Sequence, residues 1–100
     1  MTKEDIDKLV KEHKVVLFIK GTKEAPACGF SMKAVRILTM LGTDFETCNV
    51  LEDDNLRQNI KDYSDWPTIP QLYINGEFMG GSDIMVDMFH DKSLAEALEC

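Results

Sequence analysis

Val15-Val16-Leu17-Phe18-Ile19-Lys20 runs through Gly21-Thr22-Lys23-Glu24-Ala25-Pro26-Ala27 into Cys28-Gly29-Phe30-Ser31. Five consecutive apolar residues, 15–19, suggest a strand buried on both faces. Gly21 to Pro26 breaks it, and Val35, Ile37, Leu38 and Leu41, followed by Gly42, predict a helix over 31–41 with a glycine at its end. One cysteine therefore stands at a helix start, just past the carboxyl end of a buried strand. A thiol there faces unpaired backbone N–H groups and the positive end of the helix dipole, and both favour the thiolate. A helix end contributes about 0.3 to 2 kcal/mol, less than full ionisation of an ordinary thiol at neutral pH requires. Direct N–H hydrogen bonds and a nearby cation, Lys20 or Lys23, are expected to supply the remainder.

Ser31 stands where a C-x-x-C site carries its second cysteine. A lone thiol cannot close a disulfide with that neighbour, so it uses an external thiol or serves as a ligand.

Working outward, Ile6, Leu9 and Val10 mark an amphipathic helix over 2–12, with Thr2 or Asp5 as cap. Residues 45–50 read as a second strand and 55–63 as a helix, preceded by Glu52-Asp53-Asp54, whose charges suit a helix start. Residues 71–74 and 77–79 read as a hairpin turned by Asn75-Gly76. Gly80-Gly81 ends it, Ser82 or Asp83 can cap a helix through residue 90, and 94–98 suggests a last helix. Helix, βαβ, helix, hairpin, helix is an α/β order: a four-stranded mixed sheet flanked by helices, the thioredoxin-like arrangement, in one domain over 1–100.

The composition sets limits on function. At 100 residues, with 44% hydrophobic and 29% charged residues, the chain reads as one soluble globular domain. Its formal charge of -7 opposes nonspecific attraction to nucleic acid or to anionic membranes. No apolar run is long enough for a membrane span, and Met1-Thr2-Lys3-Glu4-Asp5 shows no targeting pattern. The cytoplasm is therefore expected, or a mitochondrial or other organelle matrix if a presequence has been removed. Cys28, Cys48 and Cys100 form neither a C-x-x-C pair nor a disulfide framework, which fits a reducing compartment. Cys48 reads as a core residue and Cys100 as an exposed terminal thiol. His13 and His90 lack partners at metal-ligand spacing and read as surface residues, and the six methionines fall mostly at core positions.

Three further stretches carry chemistry. In Trp66-Pro67-Thr68-Ile69-Pro70, the Ile69-Pro70 bond could be cis and present the Ile69 backbone to a peptide; a rigid turn with Trp66 on the surface fits equally. Gly80-Gly81-Ser82-Asp83 offers backbone N–H groups to a carboxylate and the Asp83 carboxylate to an ammonium, against the simpler reading of a capped helix with tightly packed glycines. Arg57 and Lys61, four apart, share one helical face. Alone they are a solvated face; with Lys20 and a loop thiol they are candidates for a small anionic peptide.

Lys20-Gly21-Thr22, Cys28-Gly29-Phe30-Ser31, Trp66-Pro67-Thr68-Ile69-Pro70 and Gly80-Gly81-x-Asp83-Ile84, in this order and spacing, closely resemble the single-domain monothiol glutaredoxins of the CGFS class. The resemblance covers nearly the whole chain. It implies a glutathione-binding protein that assembles a [2Fe-2S] cluster between two protomers and transfers it. Each protomer would give one cysteine thiolate and each bound glutathione another. By position, Cys28 would be both the reactive thiol and the iron ligand. Lys20, Arg57 and Lys61 would bind the glycine carboxylate, Ile69 would pair with the peptide backbone, and Ser82 with Asp83 would hold the γ-glutamyl end. The implied partners are a second copy of the chain when cluster-bound, iron-sulfur donor and acceptor proteins, and a BolA-type protein. The match departs at Ser82, where many relatives carry cysteine, so no disulfide from Cys28 to that position can form. The alternative function is a thiol-disulfide oxidoreductase acting on protein–glutathione mixed disulfides, although the loop over 22–27 is longer than in dithiol relatives and disfavours fast turnover. A redox adaptor that only docks partners is a third.

Overall fold

A strand with no polar face must be covered from both sides, and β1 (Val15–Ile19) is: all five of its residues are buried. The computed structural model describes residues 1–99, so the expectation for Cys100 lies outside the described residues. Around β1, in chain order, lie α1 (Lys3–Glu12), α2 (Gly29–Met40), β2 (Glu46–Asn49), α3 (Asp54–Ser64), β3 (Gln71–Ile74), β4 (Glu77–Gly80), α4 (Ser82–His90) and α5 (Ser93–Glu99). The sheet order is β2-β1-β3-β4, with β1 parallel to β2 and antiparallel to β3, and β3 antiparallel to β4. This is the thioredoxin-like α/β fold.

Alternation along β1 divides the core. Val15, Leu17 and Ile19 pack with Ala34, Ile37 and Leu38 of α2, Met85 of α4 and Leu94 of α5. Val16 and Phe18 pack with Ile6 and Val10 of α1 and Leu56 and Ile60 of α3. Burial of each Val, Leu, Ile, Phe or Met side chain among these contributes about 1.5 to 3 kcal/mol. The sheet is thus held between α1 and α3 on one face and α2, α4 and α5 on the other, leaving its edge at the end of β1 to the loops.

Helix starts follow the capping chemistry, with two corrections. Thr2 caps α1, and Asp5 completes a capping box by accepting from the Thr2 N–H, so both candidates take part. Asp53 caps α3 by accepting from the Asn55 and Leu56 N–H groups. α2 begins at Gly29 rather than at residue 31, because the Cys28 side chain itself is the cap. α4 begins at Ser82 with Gly81 in the cap position and no side-chain cap bond, so neither Ser82 nor Asp83 caps it. Gly81 is set there by crowding: a Cβ would lie 3.3 Å from both the Pro70 carbonyl and the Trp66 indole nitrogen. Most of the methionines sit at core positions as expected: Met85 is buried and Met1, Met79 and Met88 pack on the core, while Met32 and Met40 are exposed. Cys48 is only partly buried. His90 is exposed, while His13 is half-buried at the end of α1. Among the described residues, no helix is long and apolar enough to cross a membrane.

The loop between β1 and α2 closes on itself. Gly21 and Pro26 bridge, Thr22 and Ala25 exchange N–H···O bonds of 3.2 Å, and the Ala27 N–H donates to the Lys20 carbonyl at 2.8 Å. Gly21 donates to Asn49 Oδ1 at 2.9 Å and has φ +94°, where a Cβ would come within 2.5 Å of the Ala27 nitrogen. Gly21→Ala is therefore predicted to destabilise the fold by about 1 to 3 kcal/mol, seen as a lower urea midpoint at unchanged slope.

Candidate functional site

Cys28, as the cap of α2, accepts the Ser31 N–H at 3.4 Å, and its Sγ lies 3.3 Å from Ser31 Oγ. Ser31 is fully buried, and its hydroxyl oxygen accepts the Lys20 N–H at 3.0 Å. With a backbone donor on the oxygen, the hydroxyl proton is free to point at the sulfur. Desolvation is the largest single influence on the thiol and pushes it up. The Ser31 hydroxyl, the Ser31 and Phe30 N–H groups and the Lys20 charge together outweigh it, so the thiol lies below its ordinary range. Lys23, the other candidate cation, is turned away. Its ammonium donates to the Phe45 carbonyl and lies 4.2 Å over the Phe45 ring, where a cation–π contact holds it.

Lys20 and Phe30 lead from the thiol into a cleft of about 350 Å³. Arg57 and Lys61 of α3, Ser82 and Asp83 at the start of α4, and the segment Pro67, Thr68, Ile69 and Pro70 line the rest. α3 and α4 cover opposite faces of the sheet, so the cleft spans the sheet edge from a cationic helix to an acidic helix start. Arg57, Lys61 and Asp83 enter no ion pair among the described residues. The Ile69-Pro70 bond is cis. Lys20, Arg57, Lys61, Ile69, Ser82 and Asp83 therefore all line this cleft, and Cys28 adjoins it through Lys20 and Phe30, whereas Lys23 does not reach it. Cys48 stands apart in β2. Burial first, and then Glu46 and Glu52, push its thiol up, which makes it a poor nucleophile.

Sequence reasoning missed three residues that shape the site. Ser31 was read only as a missing cysteine, yet it is a hydrogen-bond hub. Asn49 Oδ1 accepts from both Gly21 and Leu51 and ties the loop before Cys28 to the end of β2. Gln71 is fully buried and donates to the carbonyls of Trp66 and Thr68. The one available signal was a glutamine opening an otherwise apolar strand.

The glutaredoxin family model matches residues 15–79. An uncharacterized monothiol glutaredoxin, ycf64-like, of Synechocystis is 58% identical over 98 residues, covering 98% of this chain and 92% of the relative. The chain belongs to the monothiol glutaredoxins. Chloroplastic monothiol glutaredoxin-S7 of Oryza sativa subsp. japonica is 57% identical over 94% of the chain, which spans 56% of that longer protein. The solution structure of reduced poplar apo GrxS14 superposes on this glutaredoxin with a TM-score of 0.86 at 55% identity, covering 97% of this chain and 89% of that one.

In this glutaredoxin the thiolate depends on donors that only Ser31 supplies through its side chain. Removing the hydroxyl takes away a group that favours the anion, so Ser31→Ala is predicted to move the Cys28 titration to higher pH. Alkylation by iodoacetamide, followed across pH, should slow several-fold at pH 7 and reach the wild-type rate at high pH.

Proposed function

We propose that this glutaredoxin binds glutathione in the cleft and, with it, carries a [2Fe-2S] cluster between two protomers and hands it to acceptor proteins. The observation that carries the proposal is a partly exposed, hydrogen-bonded thiol with a buried serine in place of a second cysteine, beside a cleft with cations at one helix and an acid at the other. Glutathione has complementary ends. Lys20, Arg57 and Lys61 suit its glycine carboxylate, the Ile69 backbone its peptide, and Ser82 with Asp83 its γ-glutamyl carboxylate and ammonium.

The donor chemistry fits the cluster as cargo. Such a cluster takes four thiolates, and Cys28 offers one. Among the described residues no group of three His, Cys, Asp or Glu side chains could hold a metal. The family resemblance implies that a second Cys28 and two glutathione thiolates supply the other three ligands, which would make cluster binding and dimerisation one event. The family resemblance extends the partners to iron-sulfur donors and acceptors and to a BolA-type protein. Cytoplasm and organelle matrix are both reducing enough for this chemistry.

The depressed thiol also supports a second reading, removal of glutathione from protein thiols. The Cys28 thiolate would attack the glutathione sulfur of a mixed disulfide, forming a Cys28–glutathione bond as the protein thiolate leaves. A second glutathione thiolate would then attack that bond, releasing glutathione disulfide and restoring Cys28.

Anaerobic reconstitution with iron, sulfide and glutathione separates the readings. The carrier becomes coloured only with glutathione, and sedimentation shows an apo monomer and a cluster-bound dimer. Cys28→Ser should abolish colour and dimer, while Cys48→Ser keeps both; iron retained by Cys28→Ser at wild-type stoichiometry refutes the ligand assignment. The charge assignments are tested by calorimetry of glutathione binding. Arg57→Ala and Asp83→Ala should each weaken it roughly ten- to a hundredfold, since charge-assisted hydrogen bonds are worth about 1.5 to 3 kcal/mol. An unchanged affinity in either folded variant removes that end of the site.

A further inference from the structure

Gln71 opens β3 with a fully buried side chain. Alternation places it with Tyr73 on the face covered by α1 and α3. A primary amide in an apolar layer is costly unless its hydrogens and oxygen are all engaged. Here they are. Nε2 donates to the Trp66 carbonyl at 3.1 Å and to the Thr68 carbonyl at 3.2 Å, and Oε1 accepts the Tyr73 hydroxyl at 3.3 Å.

Both carbonyls belong to the segment 66–70, four residues of which line the cleft. That segment has few backbone bonds of its own to hold it. Pro67 and Pro70 carry no N–H, and the Trp66 N–H is taken by the Lys61 carbonyl and Ser64 Oγ at the end of α3. Its apolar anchors are the Ile69 side chain, buried in the layer with Ile60 and Tyr73, and the Trp66 ring, 5.7 Å from Phe78, which in turn lies 5.4 Å from Tyr73; neither bonds the Trp66 or Thr68 carbonyl.

We infer that Gln71 is a positioning residue for the cleft: its amide clamps the carbonyls of Trp66 and Thr68 and thereby fixes the Ile69 backbone against which glutathione is bound. This rests on the glutathione reading above. The residue type follows from the two acceptors it must meet. One planar group has to offer two hydrogens and one lone-pair oxygen at this length, and only glutamine does so. Ionised glutamate has no hydrogen to offer and would set a charge against two carbonyl oxygens. Methionine matches the volume and offers no donor.

The test uses the apoprotein under reductant. In the wild type, the Gln71 side-chain amide protons should exchange slowly and show NMR couplings across hydrogen bonds to the Trp66 and Thr68 carbonyl carbons. In Gln71→Met, the Thr68 and Ile69 amides should exchange faster while those of Val15–Ile19 stay protected, and glutathione should bind about tenfold more weakly by calorimetry. Gln71→Glu should bind weakly at neutral pH and recover as pH falls, because protonation returns one donor; a purely structural lesion has no reason to recover in that direction. A folded Gln71→Met with wild-type affinity and unchanged exchange at Thr68 and Ile69 overturns the proposal. If that variant does not fold, the wild-type couplings decide, and free exchange of the Gln71 amide overturns it. Wild-type protein that fails to bind glutathione overturns the glutathione reading itself, an outcome distinct from equal binding by wild type and Gln71→Met.

Discussion

β1 has no side chain that can face water, and that constraint organises the molecule. Covering Val15, Leu17 and Ile19 on one face and Val16 and Phe18 on the other requires helices on both sides of the sheet and strands along both edges. Once both faces are occupied, what remains accessible near the strand is its carboxyl end. Lys20, the closed loop after it and the start of α2 are gathered there. The site is thus where the packing stops, the usual binding edge of sheets of this kind.

At that edge the polar groups form a connected set. Asn49 holds Gly21, the Lys20 N–H holds Ser31, and Ser31 holds Cys28. A sulfur anion in this position is stabilised mainly by groups whose own positions are fixed by neighbours, so little has to rearrange when it ionises. The chain carries a net charge of -7, yet its cleft gathers Lys20, Arg57 and Lys61. A small anion thus meets three cations close together against an acidic background, which favours its arrival at the cleft.

How much of this could be read from the sequence depended on the kind of interaction. Elements with a clear period or stop signal, such as 15–19, the stripe ending at Gly42 and the Asn75-Gly76 turn, came out within one or two residues of the structure. The cleft lining was legible because charged residues and glycine-rich junctions stand out in an ordinary apolar background. What failed was chemistry in which a residue takes an unusual role. A glycine capping α4 where Trp66 and Pro70 crowd any side chain, and a lysine drawn off by an aromatic ring, both depend on contacts between segments distant in the chain. Gln71 is the same case: its value lies in two carbonyls made available by a proline-rich turn, and no local pattern announces it.

The bare start of α4 has a consequence for order in the molecule. A glycine cap forgoes only about a few tenths of a kcal/mol relative to Ser, Thr, Asp or Asn, and here Gly81 leaves the first N–H groups of Ser82–His90 without a side-chain acceptor. A ligand carboxylate seated at Ser82 would act as that missing cap, so the ligand would complete a piece of secondary structure as well as fill a hollow. Occupancy of the cleft would then favour the ordered start of α4. Because Met85 of α4 packs in the same layer as Leu17 and Ile19, a molecule bound at the surface would be sensed in the interior as a firmer core.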